Sequence, residues 1–85
     1  MYKQENENGA VWEIEKHIAT ISTNSRGWTK ELNVISWHGR KPTLDIRSFS
    51  PEHDKLSKGV TLTIYEARNL LSSLQEYLKE GVIDG

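Results

Sequence analysis

The chain has 85 residues, a net charge of −1, three tryptophans and no cysteine. That length makes one domain with a thin core, and the lack of cysteine excludes a disulfide frame, a thiolate metal site and a thiol nucleophile. No stretch is apolar for long enough to span a bilayer, and the opening MYKQENENG has no signal-peptide run, so the expected setting is the cytoplasm, without a membrane partner.

The charge is unevenly placed. Residues 16–58 carry eight Lys/Arg against four Asp/Glu and all three histidines, whereas residues 1–15 and 59–85 are net acidic. A basic island between acidic flanks suits either a solvated strand face or a surface for a polyanion.

Residues 1–9 are polar and without periodicity, and are expected to form a flexible tail before a single domain over residues 10–80. Val11 to Ser22 fits a strand whose apolar set changes face near Ala19, the mark of a bend or bulge. Thr23 to Gly27 is a turn cluster. A second strand runs from Trp28 to Trp37, with Leu32 and Val34 on one face and Asn33, Ile35 and Trp37 on the other. After a loop closed by Pro42, Thr43 to Phe49 alternates cleanly, with Leu44 and Ile46 on one face and Asp45, Arg47 and Phe49 on the other. Ser50 to Lys58 is a polar loop, and Gly59 to Thr63 is a short fourth strand.

The last element is a helix. Thr63 and Glu66 have the spacing of a capping box. Ala67, Leu70, Leu71, Leu74 and Leu78 recur at helical period, and Gly81 fits a C-cap before a short tail over residues 81–85. The fold class is therefore α+β, a twisted four-stranded antiparallel sheet followed by one C-terminal helix. One helix covers one sheet face. Leu44 and Ile46 are expected beneath it, leaving Arg47 and Phe49 on an open face. Rings among cations on an open face suit unpaired nucleic acid, which offers phosphates to the charges and bases to the rings. The same rings could instead fill a core or a subunit interface.

Enzymatic chemistry is not expected. His17, His38 and His53 lack metal-ligand spacing, and no phosphate-binding glycine loop or nucleophile elbow is present. No catalytic residue, metal, cofactor or small-molecule substrate is therefore assigned. A protein-interaction module using the same face, or RNA in place of DNA, is the alternative reading.

At Trp28-Thr-Lys-Glu-Leu-Asn33, Ser36-Trp37, Asp45-Ile-Arg47-Ser-Phe49-Ser-Pro51 and Lys58-Gly-Val-Thr-Leu-Thr63 the chain resembles the bacterial YdbC-like branch of the positive cofactor (transcriptional coactivator) family, whose members bind single-stranded DNA. The acidic-Ile-Arg triplet, the aromatic after it and the Lys-Gly-Val-Thr-Leu run carry the likeness. The resemblance implies a symmetric homodimer with single-stranded DNA crossing both sheets. It implies a backbone or base contact for Arg47, stacking for Phe49, a backbone contact for Lys58 and a groove lined by Lys30 and Trp37. Arg26, Trp28, Asn33, Arg40, Lys41 and Lys55 complete the candidate binding set. The expected function is non-enzymatic binding with weak sequence preference, in transcription regulation or DNA replication and repair, close to the nucleoid. The short acidic N-terminus departs from the long basic, serine-rich arm of eukaryotic members, so behaviour that depends on that arm is not carried over.

Overall fold

The computed structural model of the chain describes residues 2–5, as backbone, and residues 11–79. The expectations for residues 1, 6–9 and 81–85, including the Gly81 cap, lie outside the described residues. Five strands among the described residues form one sheet in the order β1-β2-β3-β4-β5: Tyr2–Glu5, Val11–Thr23, Thr29–Trp37, Thr43–Phe49 and Val60–Leu62. Every neighbouring pair is antiparallel. The helix α1, Ile64–Lys79, follows. The four expected strands and the helix are all present in the expected order. Strand β1 is an addition, because residues 2–5, read as part of a tail, pair with Val11–Ile14.

The expected bend in β2 is three irregularities. Its pairing with β3 shifts between Ile14 and Lys16, between His17 and Ala19, and between Thr20 and Ser22. Each shift inserts one unpaired residue and adds local twist. The repeated insertions explain why the apolar residues of β2 do not keep a single parity in sequence.

Opposed residues in an antiparallel pair share a sheet face. Register therefore puts Trp12, Ile14, His17, Glu31, Asn33, Ile35, Trp37, Asp45, Arg47 and Phe49 on one face. Leu32, Val34, Leu44, Ile46, Val60 and Leu62 lie on the other. The most buried apolar cluster is on the first face: Trp12, Ile14, Ile35 and Phe49, with Trp37 and Leu56 packed against it. This corrects the expectation that Phe49 stands on an open surface. The 50–57 loop turns back over the ring, joining Phe49 to Leu56 by a β-bridge and stacking His53 on Phe49 with centroids 5.1 Å apart. Trp12 packs on it at 6.5 Å.

The helix begins as read. Thr63 N–H donates to Glu66 Oε1 at 2.8 Å and Glu66 N–H donates to Thr63 Oγ1 at 3.0 Å, a closed capping box worth about 1 kcal/mol. The helix does not lie over Leu44 and Ile46, which corrects the second expectation. Its one substantial contact with the sheet is with β5. Only Thr63 separates β5 from α1, a connection too short to fold the helix back across the sheet. Its apolar stripe is consequently open, with Leu74 46%, Leu71 56% and Leu78 60% exposed. A largely apolar groove lined by Val34, Leu44, Leu62 and Ile64, with Lys41 also in its lining, runs between the helix root and the sheet.

Phe49→Ala removes a fully buried ring and should cost about 3–5 kcal/mol of stability, read as the shift of a urea unfolding curve. A loss under about 1 kcal/mol would return Phe49 to the surface.

Candidate nucleic-acid interface

Alternation on β4 brings Asp45 and Arg47 to the same side, two residues apart. Asp45 is fully buried. Arg47 closes on it with two parallel hydrogen bonds, Nε to Oδ1 at 2.6 Å and Nη2 to Oδ2 at 2.7 Å. Such a fork is both strong and directional. Arg47 Nη1 also donates to the Ser57 carbonyl at 3.3 Å, and Thr61 Oγ1 donates to Asp45 Oδ2 at 3.2 Å. The guanidinium thus held lies over the Trp37 indole, 4.6 Å from the ring centroid, a cation–π contact. Arg47 keeps 13% of its side chain exposed. Three of its five N–H groups have these partners, which leaves one on each Nη.

The Lys58-Gly59 pair enters here. A Cβ at Gly59 would overlap Arg47 Cβ and the Ile46 carbonyl, so a residue without a side chain is required where β5 approaches β4. Ser57, which receives Arg47, precedes Lys58 directly, so Arg47 and the exposed Lys58 are neighbours. Trp37 is opposed by Trp12 across β2 and β3. Among the described residues the indole nitrogens of Trp12 and Trp37 and the hydroxyl of Thr43 are buried without a hydrogen-bond partner.

A second polar cluster occupies the same face nearer the start of β3. Glu31 is almost fully buried and accepts from Thr29 Oγ1 at 2.6 Å, Asn33 Nδ2 at 3.0 Å and His53 Nε2 at 2.9 Å. His17 Nδ1 donates to Asn33 Oδ1 at 2.7 Å, and Thr20 Oγ1 lies 3.2 Å from His17 Nε2. Burial pushes the Glu31 carboxyl up, but the bonds from Thr29, Asn33 and His53, with the charge of His53, outweigh it and hold the pKa below the ordinary 4.5. The cluster ties β2, β3 and the 50–57 loop together. Within that loop Ser50 Oγ donates to Asp54 at 2.7 Å and lowers its pKa. The same Ser50 Oγ accepts the Lys55 N–H at 3.0 Å.

The candidate residues therefore separate. Trp37, Arg47 and Lys58 come together, with Arg40 and Lys41 exposed in the loop that follows Trp37. Lys55 is exposed on the pinned loop. Arg26 is exposed on the turn that Asn24 Oδ1 closes by accepting from the N–H groups of Arg26 and Trp28, and Trp28 is half-buried beside it. Gly27 in that turn has φ +84° and faces Pro51 of the loop. Three residues do not fit the role first read for them. Phe49 is buried under His53 and offers no face to a base. Asn33 is fully buried and spends its amide on His17 and Glu31. Lys30, opposite Ser22 and Ser48, alternates to the Leu32 side and does not share a groove with Trp37. Sequence reasoning missed Asp45 as Arg47's partner, although the i, i+2 spacing on a strand was the available signal. It also missed the pairing of Glu31 with His17 and His53, for which separations of 14 and 22 residues gave none.

Comparison with known proteins gives two results. A family model described as "Transcriptional Coactivator p15 (PC4)" matches residues 24–73, which include the turn, β3, β4, the pinned loop, β5 and most of the helix. An uncharacterized protein of Treponema pallidum (strain Nichols) is 43% identical over 79 residues, covering 84% of this chain and 93% of that protein.

The Glu31 pKa is depressed on folding, so its contribution to stability is present above the unfolded value near 4.5 and is lost as pH falls through the folded value. The thermal midpoint should fall on acidification below about pH 4.5, and Glu31→Gln should flatten that fall. An unchanged profile in Glu31→Gln would assign acid sensitivity to other carboxylates.

Proposed function

Because the chain belongs to the transcriptional coactivator p15 (PC4) family, we propose that it is a non-enzymatic single-stranded-DNA-binding protein. It acts as a homodimer with weak sequence preference, in transcription regulation or DNA replication and repair, in the cytoplasm close to the nucleoid. It uses no cofactor, metal or small-molecule substrate. The observation that carries the reading is the Arg47 guanidinium fixed over Trp37 on one sheet face, with the exposed Lys58 following the Ser57 that it bonds. A fixed cation and an adjoining ring answer the two features that an unpaired strand presents, its phosphates and its base planes. The unpartnered indole nitrogens and Thr43 hydroxyl on that face favour a polar ligand, since buried polar groups left unpaired are costly.

Arg47 and Lys58 meet phosphate, and Arg40, Lys55 and Arg26 extend the positive surface, whereas Lys41 also lines the groove at the helix root. Trp37 supplies the stacking platform. Stacking tolerates any base and is worth roughly 1–3 kcal/mol per base, which accounts for weak sequence preference. The exposed stripe of α1 and the groove at its root support the dimer. Open apolar surface of this kind on a small domain favours association, and closed two-fold pairing is its commonest form.

Fluorescence anisotropy with oligo-dT tests the proposal. With about three phosphate contacts per subunit and about six per dimer, log K should fall against log salt with a slope of about −4. Trp37→Ala should weaken binding by roughly 1–3 kcal/mol, measured on the folded protein with an unfolding curve recorded alongside, because Trp37 also packs against the core. Tighter binding to the matching RNA would redirect the reading to RNA. No anisotropy change with DNA or RNA at low salt would redirect it to a protein partner. Sedimentation at tens of micromolar reads the dimer directly, and a monomer there would remove that part.

A further inference from the structure

We infer that Asp45 is a positioning residue for strand binding, and that Asp45, Arg47, Gly59 and Thr61 act as one unit that presents Arg47 to the ligand. The inference rests on the reading of this face as the single-strand site. Asp45 has no exposed surface and cannot touch a strand itself. Both its oxygens are turned to Arg47, and Thr61 donates to one of them. A free arginine loses the freedom of four side-chain torsions when it engages a phosphate. Here the two bonds to Asp45, the Ser57 carbonyl and the Trp37 ring already hold that conformation. The remaining N–H on each Nη belongs to a guanidinium whose orientation is set before the strand arrives. A pre-organised donor binds more tightly because less freedom is lost on binding.

The same geometry explains why the acidic-Ile-Arg triplet and the Lys-Gly-Val-Thr run occur together in one chain. Asp45 and Thr61 are directly opposed on β4 and β5. Gly59 leaves the space that Arg47 Cβ and the Ile46 carbonyl occupy. The two motifs are the two sides of a single holder for one guanidinium. An alternative role is confined to stability, with the ion pair filling the sheet face and the strand binding elsewhere.

A double-mutant cycle on the full chain separates the two roles. Wild type, Asp45→Asn, Arg47→Met and the double variant are titrated against oligo-dT at one low salt concentration, with unfolding curves recorded alongside. Asp45→Asn should weaken binding roughly tenfold while remaining folded, and adding it to Arg47→Met should weaken binding no further. If Asp45→Asn fails to fold, Thr61→Val, which removes only the supporting hydroxyl, should still weaken binding a few-fold. The Arg47 Nε–H resonance of the free wild-type protein is a further readout independent of any variant. It should be resolved and slow to exchange before DNA is added.

Wild-type binding with unchanged affinity in Asp45→Asn overturns the inference alone. So does an Arg47 Nε–H signal that sharpens only on adding oligo-dT. Equal additional losses in both backgrounds assign Asp45 to stability. No binding by the wild type overturns the reading of the site and the inference with it.

Discussion

A carboxylate with no exposed surface must be met by a cation and hydrogen-bond donors, or it forces a large cost on the fold. Asp45 is such a group, and the fork from Arg47 with the hydroxyl of Thr61 meets it. Much of the candidate site follows. The guanidinium is drawn back along β4 towards its own strand and comes to rest on Trp37. Strand β5 has to approach closely enough for Thr61 to reach Asp45, and Gly59 permits that approach. The 50–57 loop returns Ser57 to the guanidinium and leaves Lys58 beside it. An ion pair of this kind is not in itself a large source of stability. Its effect is to make one arrangement of the β4–β5 edge much better than its neighbours.

The second organising fact is that the polar and aromatic face is covered from within the sheet and its loop. Three insertions in β2 increase its twist, and the loop after β4 folds over Phe49. A small core of Trp12, Ile14, Ile35 and Phe49 forms there without any contribution from the helix. The Glu31 cluster closes one end of that core through His53. The opposite face and the helix stripe remain half-open in the single chain. The two apolar surfaces therefore have unequal fates. One is covered internally by the returning loop, and the other is left open in the single chain.

Much of this was legible in sequence. The capping box of Thr63 and Glu66 is a local signal that needs no tertiary information. The clean alternation of Thr43 to Phe49 identified both faces of β4 correctly. What misled was the assumption that the helix marks the buried face. Periodicity reports that two faces differ, but it does not say which one is covered, and a one-residue connection kept α1 from crossing the sheet. Phe49 and Asn33 were misplaced for this reason. The face of Lys30 followed from its parity with Leu32, yet the family resemblance implied a groove shared with Trp37. His17, Glu31 and His53 meet only through pairing and loop return, which composition and spacing do not encode. Asp45 and Arg47 sit at the readable limit, since their spacing puts them on one face while their bidentate geometry needs coordinates.

The central claim is that single-stranded DNA is received on the face where Arg47 lies over Trp37. Mapping amide, indole and guanidinium resonances of the full chain during titration with oligo-dT tests it most directly. The account predicts that the largest shifts fall on the Trp37 indole N–H, the Arg47 Nε–H and the backbone at Ser57 and Lys58, with Leu32, Val34 and the α1 stripe little affected. Shifts concentrated on α1 and the Leu44–Ile46 face, with Trp37 and Arg47 unmoved, would contradict it.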